Sequence, residues 1–297
     1  MGKILSGRLK AAGLVAIVFL LVIFAASADI GSPTIKPTYM STAADATTTT
    51  PAVASNKIKT KVSTVAQYER NLYLGLKNQE DKIQFSIVGY NKKKYNFDNI
   101  NKIIEKEPTL AYGYTGMNGS ITYTSDGKAL MKIKFLYSAS KDKRKKMKAD
   151  TEKKAAAILK KIIKPKMTDL QKEGAIHDYI VNHTVYDYTN YINGTIPMED
   201  YTDYGALVKG KAVCDGYAKA MFRLLNKAGV KCLYIVGTAN DENGSFGHAW
   251  NKVKINGKYY NVDATWDDPI YADGKNGISY DYYNKSDAQF KKDHNWN

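Results

Sequence analysis

The chain has 297 residues, with 44 Lys or Arg against 29 Asp or Glu, which gives a formal net charge of +15. Its 44% hydrophobic content exceeds that of disordered chains, and its length allows one large domain or two modest ones. Only two cysteines occur, so a disulfide-rich scaffold is excluded, and without a glycine-rich phosphate-binding motif a nucleotide-dependent enzyme has no support.

Residues 1–28 have the layout of an export signal. A start with three basic residues precedes 18 uncharged residues, Ala11 to Ala28, and Ala26-Ser27-Ala28 supplies the small-x-small pattern of a cleavage site. We expect a cleaved signal peptide, with an uncleaved N-terminal membrane anchor as the alternative. Both interpretations predict an extracellular protein, secreted or anchored at the cell surface. Both also disfavour nucleic acid as a partner, and membrane contact is expected only through this segment.

Two further segments precede the informative part of the chain. Residues 29–56 are rich in Thr, Ala, Ser and Pro, which predicts a flexible linker. Residues 57–140 predict a small α+β domain, because Ile83 to Val88 alternates with the period of a strand and Phe97 to Lys106 is helical until Pro108. No set of residues in this domain suggests chemistry.

Positive charge is concentrated in residues 141–172, which contain 13 Lys or Arg and 4 Asp or Glu. Ala155, Ile158 and Ile162 recur at helical spacing, which predicts an amphipathic helix with a cationic outer face that ends before Pro165. One interpretation is that this face binds an anionic cell-wall polymer. The other is that it is a solvated surface that keeps the protein soluble.

Cys214 is predicted at the first turn of a helix. The sequence Val213 to Ala218 leads into an amphipathic segment that ends at Ala228-Gly229. Free backbone N–H groups and the positive end of the helix dipole favour a thiolate at such a position. The second cysteine, Cys232, begins an apolar strand and is interpreted as a core thiol.

A β-hairpin follows. The strands His248 to Ile255 and Lys258 to Trp266 flank Asn256-Gly257, the strongest short hairpin signal. A two-residue turn places His248 opposite Thr265, so that Asp263 shares the face of His248 at a diagonal position, with backbones roughly 6 to 8 Å apart. This spacing allows an imidazole to carboxylate hydrogen bond.

Cys214, His248 and Asp263 supply the three roles of nucleophilic acyl transfer: the thiolate, the general base and acid, and the group that fixes the imidazole tautomer. A zinc site that adds Cys232 is disfavoured, because Cys232 lies beyond the far end of the helix. We therefore expect no metal and no cofactor. Other polar and aromatic residues are interpreted as structural: His177 and His183 as packing or surface residues, Trp250 and Trp266 as core aromatics, and Asp267, Asp268, Asp273 and Asp281 as residues of solvated turns.

Three blocks of this sequence, Val213 to Ala218, Gly247 to Asn251 and Tyr260 to Trp266, resemble the signature blocks of the transglutaminase-like superfamily. The chain is similar in particular to exported bacterial members, and the resemblance covers about residues 141–285. It implies an α+β fold for residues 141–297: a papain-like transglutaminase core in which the nucleophile helix packs on an antiparallel sheet, preceded by the small α+β domain.

The resemblance assigns the same catalytic roles to Cys214, His248 and Asp263. It does not decide which group donates a hydrogen bond to the oxyanion: the candidates are the backbone N–H of Cys214 and a side chain such as Tyr204. The family includes cross-linking transamidases, peptidases, amidases and inactive members, so the reaction is not named by it.

The leading hypothesis is an exported cysteine-dependent acyl transferase or hydrolase that acts on amide bonds of proteins or cell-wall peptides through a thioester. The alternative is a catalytically inactive cell-surface binding module that holds anionic wall polymer with its basic helix.

Overall fold

A computed structural model describes most of the chain beyond the linker. The predicted export segment and linker, residues 1–56, lie outside the described residues, so the structure does not bear on them. No helix of the described residues is long and apolar enough to cross a membrane. The described ranges are residues 57–126, 128–241, 244–269 and 277–296.

The chain divides into two compact units. The smaller comprises residues 57–103 and 114–137, and the larger comprises residues 104–113 and 138–296. The sequence places a boundary at residue 140, and the structure groups the short segment 104–113 with the larger unit.

The smaller unit is a four-stranded sheet with one principal helix. The elements are β1 (Lys61–Val62), α1 (Val65–Lys77), β2 (Lys82–Val88), α2 (Asn99–Lys106, within which the two units divide), β3 (Tyr114–Tyr123) and β4 (Lys128–Tyr137). The strands are ordered β1-β2-β4-β3. Apolar residues of β2 at every second position are buried, as the period-two pattern predicts: Ile83, Phe85 and Ile87.

The larger unit combines helices with a four-stranded antiparallel sheet. Its elements are α3 (Lys141–Ile162), α4 (Asp169–His183), β5 (Val185–Tyr186), α5 (Tyr188–Ile192), β6 (Lys211–Ala212), α6 (Cys214–Lys227), β7 (Cys232–Asp241), β8 (Gly244–Ile255), β9 (Lys258–Val262), α7 (Asp287–Phe290) and β10 (His294–Asn295). The sheet order is β10-β7-β8-β9, and β5 pairs with β6 in parallel. The predicted α+β fold is confirmed.

Helix α6 packs on this sheet because one of its faces is apolar. Leu224 and Leu225 belong to the same buried core as Val253 of β8 and Val262 of β9. A hydrogen bond also joins the sheet to the helix, because the Asn251 side-chain amide donates to the Ala218 carbonyl at 3.0 Å. Helix α6, which begins with Cys214, therefore lies on an antiparallel sheet, as predicted.

Helix α3 has the predicted amphipathic pattern. Met147, Ala155 and Ile158 are buried, whereas Lys145, Lys153 and other lysines of the same helix are exposed. The helix ends at Ile162, shortly before Pro165, which cannot continue the hydrogen-bond pattern.

A buried arginine joins three segments of the larger unit. The Arg223 guanidinium on α6 donates to the carboxylates of Asp203 and Glu152 and to the Tyr112 hydroxyl, the last at 3.0 Å. Arg223 and Asp203 are almost fully buried, whereas Lys227, which also pairs with Glu152, is more than a third exposed. The segment 104–113 is thus fixed to α3 and α6 by a desolvated charge network.

We expect Arg223→Met to lower the free energy of unfolding by about 3–5 kcal/mol, because it leaves the Asp203 carboxylate buried without its counter-charge. The matched control Lys227→Met removes an exposed pair and is expected to cost less than about 1 kcal/mol. Urea denaturation of both variants measures the difference. Equal losses would show that the Arg223 network contributes no more than a surface ion pair.

Candidate active site

Cys214 is the first residue of α6, as predicted, and is 8% exposed. Its side chain packs against Ala218 of the same helix and Ala249 of β8. Val213, the N-cap residue, makes no side-chain cap to the helix. The Gly216 N–H already donates to the Val213 carbonyl at 2.9 Å, so the N–H groups of Cys214 and Asp215 are the ones that the helix start offers near the sulfur.

Gly216 explains how the chain before α6 reaches this position. A Cβ at Gly216 would lie 2.6 Å from the Asp200 carbonyl oxygen and 2.7 Å from the Ala212 Cβ. The close approach of these residues to the first turn of α6 requires glycine. The start of the nucleophile helix is therefore tightly enclosed.

The hairpin has the predicted turn and register. Asn256 and Gly257 both have positive φ, 48° and 83°, as a type I′ turn requires. The paired residues run from Ile255 opposite Lys258 to Asn251 opposite Val262. His248 lies beyond this ladder, and across the other edge of β8 it pairs with Gly237 of β7.

The second strand is shorter than the sequence predicts, since β9 ends at Val262 instead of continuing to Trp266. Asp263 causes this ending: its Oδ1 accepts hydrogen bonds from the backbone N–H groups of Thr265 at 3.0 Å and Trp266 at 3.3 Å. Such bonds fold the chain into a turn. The predicted pairing of Thr265 opposite His248 is therefore wrong, although Asp263 does face His248.

His248 and Asp263 form a buried hydrogen-bonded pair. His248 Nε2 lies 2.7 Å from Asp263 Oδ2, and the two residues are 4% and 1% exposed. The Cys214 side chain is a near neighbour of His248 and contributes to the raised pKa of the imidazole. Because Nε2 faces Asp263, the ring nitrogen left for the sulfur is Nδ1. The structure thus brings the three predicted residues together in the order Cys214, His248, Asp263.

The electrostatics of the pair favour a charged imidazole. Burial lowers the pKa of His248, but the Asp263 charge, its hydrogen bond and the neighbouring Cys214 outweigh burial and raise that pKa to about 9. Burial raises the pKa of Asp263, but the charges and hydrogen bonds of His248 and His294 hold it below its usual range. Both partners therefore favour the imidazolium–carboxylate form.

His294 is a site residue that sequence reasoning missed. It is 1% exposed, and its Nε2 lies 3.4 Å from Asp263 Oδ2, the oxygen that also faces His248. It reaches this place because β10 pairs with β7, with His294 opposite Ala239. The distance between His294 and Asp263 in the sequence does not predict this contact, because the contact depends on the long-range pairing of a two-residue strand.

Aromatic rings surround the two imidazoles. Phe290 and Trp266 lie 4.0 and 4.5 Å from the His294 ring centroid, and Trp266 lies 5.6 Å from that of His248. Trp250 is almost fully buried and stacks on His248, which confirms its prediction as a core aromatic. These rings keep water away from the hydrogen bonds to Asp263.

Tyrosines also lie near Cys214. Burial first, and then the neighbouring Cys214, raise the pKa of Tyr186 and Tyr191, the latter to about 12. Tyr204, the predicted side-chain oxyanion donor, has different surroundings: the Lys209 ammonium lies 5.9 Å from its ring centroid and Lys146 interacts with it electrostatically. The structure therefore places Tyr204 beside lysines, and its role as an oxyanion donor stays a prediction.

Two carboxylates predicted in solvated turns are instead buried. Asp267 receives a contact from His177 Nε2 at 3.2 Å, and Asp268 accepts a hydrogen bond from the Tyr217 hydroxyl at 2.6 Å. The prediction was wrong because the turn after Asp263 folds against α4 and α6. His177 is a buried packing residue, as predicted.

Among the described residues, one group of three has potential metal ligand atoms within 4.8 Å of one another: His248, Asp263 and His294. Both imidazoles point Nε2 at the same carboxylate oxygen at hydrogen-bonding distances. A cation there would have to displace the protons that these bonds contain. We therefore assign the group to hydrogen bonding.

Asp263→Asn is expected to lower the pKa of His248 from about 9 to near or below its ordinary 6.5, because burial is then opposed by neither the charge nor the full hydrogen bond of Asp263. The matched control Asp267→Asn alters the partner of His177 and is expected to leave His248 unchanged. Histidine ring NMR titration, assigned with single histidine variants, measures both. A His248 pKa that stays near 9 in Asp263→Asn would contradict the assigned geometry.

Comparison with known proteins finds relatives of the segment that contains Cys214, His248 and Asp263. Residues 156–264 match the model of the transglutaminase-like superfamily. Kyphoscoliosis peptidase from Homo sapiens is 35% identical over 107 residues, which cover 33% of this chain and 16% of that protein. The protein of the same name from Mus musculus is 34% identical over the same length and coverage. The chain thus spans about a sixth of the length of these curated relatives.

The comparison with solved structures also finds matches, at low sequence identity. A TGase crystal structure has 15% identity and a TM-score of 0.34 over 61% of this chain and 50% of that one. A putative cysteine protease from Cytophaga hutchinsonii has 14% identity and a TM-score of 0.33 over 63% of this chain and 65% of that one. The comparisons therefore show that residues 156–264 are similar to the transglutaminase-like superfamily.

Proposed function

We propose that the protein is an exported cysteine-dependent acyl transferase or hydrolase that acts on amide bonds of proteins or cell-wall peptides. The observation that carries this proposal is the buried chain from Cys214 through His248 to Asp263, with the imidazole held by a 2.7 Å bond to the carboxylate. This order of groups is what activation of a nucleophile by a general base requires.

The chemistry proceeds in two steps. The Cys214 thiolate attacks the amide carbonyl carbon and forms a C–S bond, while His248 gives its proton to the nitrogen as the C–N bond breaks. The products are a thioester on Cys214 and a free amine. Water or a second amine then attacks the thioester, His248 accepts the proton of this attacking group, and the C–S bond breaks to regenerate the thiolate.

The developing oxyanion needs donors that are already in place. The backbone N–H of Cys214 at the start of α6 is the donor we assign, because the first N–H groups of a helix have no intrahelical acceptor. This choice does not require Tyr204.

The acceptor of the acyl group decides between hydrolysis and transamidation. The curated relatives are named as peptidases, and this supports amide-bond chemistry without fixing the acceptor, because the shared segment is short relative to those proteins. The proposal therefore covers both outcomes.

The location of the protein and a surface partner extend the proposal. The layout of residues 1–28 supports export, with the folded units held outside the cell. The exposed lysines of α3, including Lys145, Lys153 and Lys160, form a cationic face that fits an anionic wall polymer by charge. Such a face would keep the enzyme near wall-linked substrates.

Alkylation by iodoacetamide tests the proposal without knowledge of the substrate. An ordinary thiol with a pKa of about 8.5 is less than about 1% ionised at pH 6. We expect Cys214 to label more than about tenfold faster than such a thiol at pH 6, and His248→Ala to remove this advantage. Peptide mass spectrometry measures the rates separately for each cysteine.

Cys232 is the internal control for this measurement. It is buried, and burial raises the pKa of its thiol, so it is expected to remain unlabelled while the fold is intact. If Cys214 labels no faster than a free thiol, or if His248→Ala has no effect, the enzyme proposal fails and the inactive cell-surface binding module replaces it.

A further inference from the structure

His294 stands between two carboxylates. Its Nε2 faces Asp263 Oδ2 at 3.4 Å, and its Nδ1 faces Asp293 Oδ1 at 2.7 Å. A neutral imidazole has a proton on one ring nitrogen only, so it would point a lone pair at one of these carboxylates. The ring donates to both partners only when both nitrogens carry a proton.

The position of His294 is fixed by the fold. Strand β10 adds to β7 through the pairs His294–Ala239 and Asn295–Thr238. Gly237 makes this close approach possible, because a Cβ there would collide with the backbone oxygen of Asn295 and lie 2.7 Å from Trp250 Cη2. The backbone of His294 is therefore held beside β7, and Phe290 and Trp266, whose ring centroids lie 4.0 and 4.5 Å away, pack against its ring.

Asp263 has hydrogen-bond partners at each oxygen. The backbone N–H groups of Thr265 and Trp266 hold Oδ1, while the Nε2 atoms of His248 and His294 both face Oδ2. When His248 gives its Nδ1 proton to a leaving amine, it becomes neutral, and Asp263 loses the cation that balanced its charge. A buried carboxylate without a counter-charge is strongly destabilised.

We propose that His294 is a positioning residue of the triad, the second donor that keeps the Asp263 carboxylate charged and turned towards His248 at every stage of the reaction. This inference rests on the proposed function, because it assigns His294 a part in the same acyl transfer. His294 acts through Asp263 and does not touch the reacting atoms.

The charged and titratable groups that face His294 come from several segments. They are Asp263 after β9, His248 of β8, the adjacent Asp293, and Tyr282, whose hydroxyl donates to Asp293 Oδ2 at 2.7 Å. Asp293 thus contacts the His294 ring at Nδ1, the nitrogen that does not face Asp263, and the Tyr282 hydroxyl in turn donates to Asp293. The result is a continuous chain of polar contacts from Tyr282 through Asp293, His294 and Asp263 to His248.

Two amide substitutions separate the donor from the rest of the ring. In His294→Gln the amide nitrogen takes the place of Nε2 and keeps a donor towards Asp263. In His294→Asn the amide nitrogen takes the place of Nδ1 and keeps only the contact with Asp293. The rate of Cys214 alkylation is measured from pH 3.5 to 9 in both variants, in the parent and in His183→Asn, which changes an exposed histidine of α4.

Without the second donor the carboxyl group of Asp263 takes up a proton at higher pH, and His248 then loses its counter-charge. In the plot of Cys214 alkylation rate against pH, the rate falls on the acidic side, and we call this falling part the acidic limb. In His294→Asn we expect the acidic limb to lie about one pH unit higher, which is about a tenfold slower rate at a fixed pH on that limb. His294→Gln should keep the limb of the parent, and so should His183→Asn. Labelling of Cys232 reports any general opening of the fold.

The inference is overturned if His294→Asn has the limb of the parent, or if His294→Gln moves as far as His294→Asn while Cys232 stays protected. Failure of the proposed function looks different, because the parent itself would then lack rapid labelling at acidic pH and His248→Ala would match it. If both variants expose Cys232, the ring is required for folding alone, which also overturns the proposal.

Discussion

The buried carboxylate of Asp263 is the group on which the site depends. Its Oδ1 ends β9 by binding the backbone of the following turn, and its Oδ2 faces His248 at 2.7 Å. One side chain therefore sets both the course of the chain and the orientation of the imidazole. A carboxylate buried in this way is stable only while donors surround it, and this requirement connects the hairpin, the last strand and the nucleophile helix.

The scaffold explains how Cys214 meets this carboxylate–imidazole pair. Helix α6 lies on β7, β8 and β9 through a shared apolar core, and its first turn is enclosed by the segment around Asp200. Arg223, farther along the same helix, fixes α6 to α3 and to residues 104–113. Cys214 thus stands at the start of a packed helix, whereas His248 stands on the inner strand β8 and Asp263 directly follows the edge strand β9, so each side chain is carried by the packed fold.

Local signals predicted part of this arrangement, and non-local contacts account for the rest. The extent of α6, the Asn256-Gly257 turn and the amphipathic α3 follow from rules for periodicity, turns and helix ends that act over a few residues. The place of His294 depends on the pairing of β10 with β7, for which a two-residue strand leaves no readable pattern. The burial of Asp267 likewise depends on α4, which lies 90 positions earlier at His177. The early end of β9 had a local cause, the turn-forming carboxylate of Asp263.

The central claim is that Cys214 becomes acylated by an amide substrate. The direct measurement is mass spectrometry of the Cys214 peptide after the protein is mixed with protein and wall-peptide substrates and quenched in acid. The account predicts an acyl adduct on Cys214 that hydroxylamine removes, that is absent in His248→Ala, and that never appears on Cys232. Amide turnover that persists in Cys214→Ala, or that proceeds with Cys214 unmodified, would contradict the account.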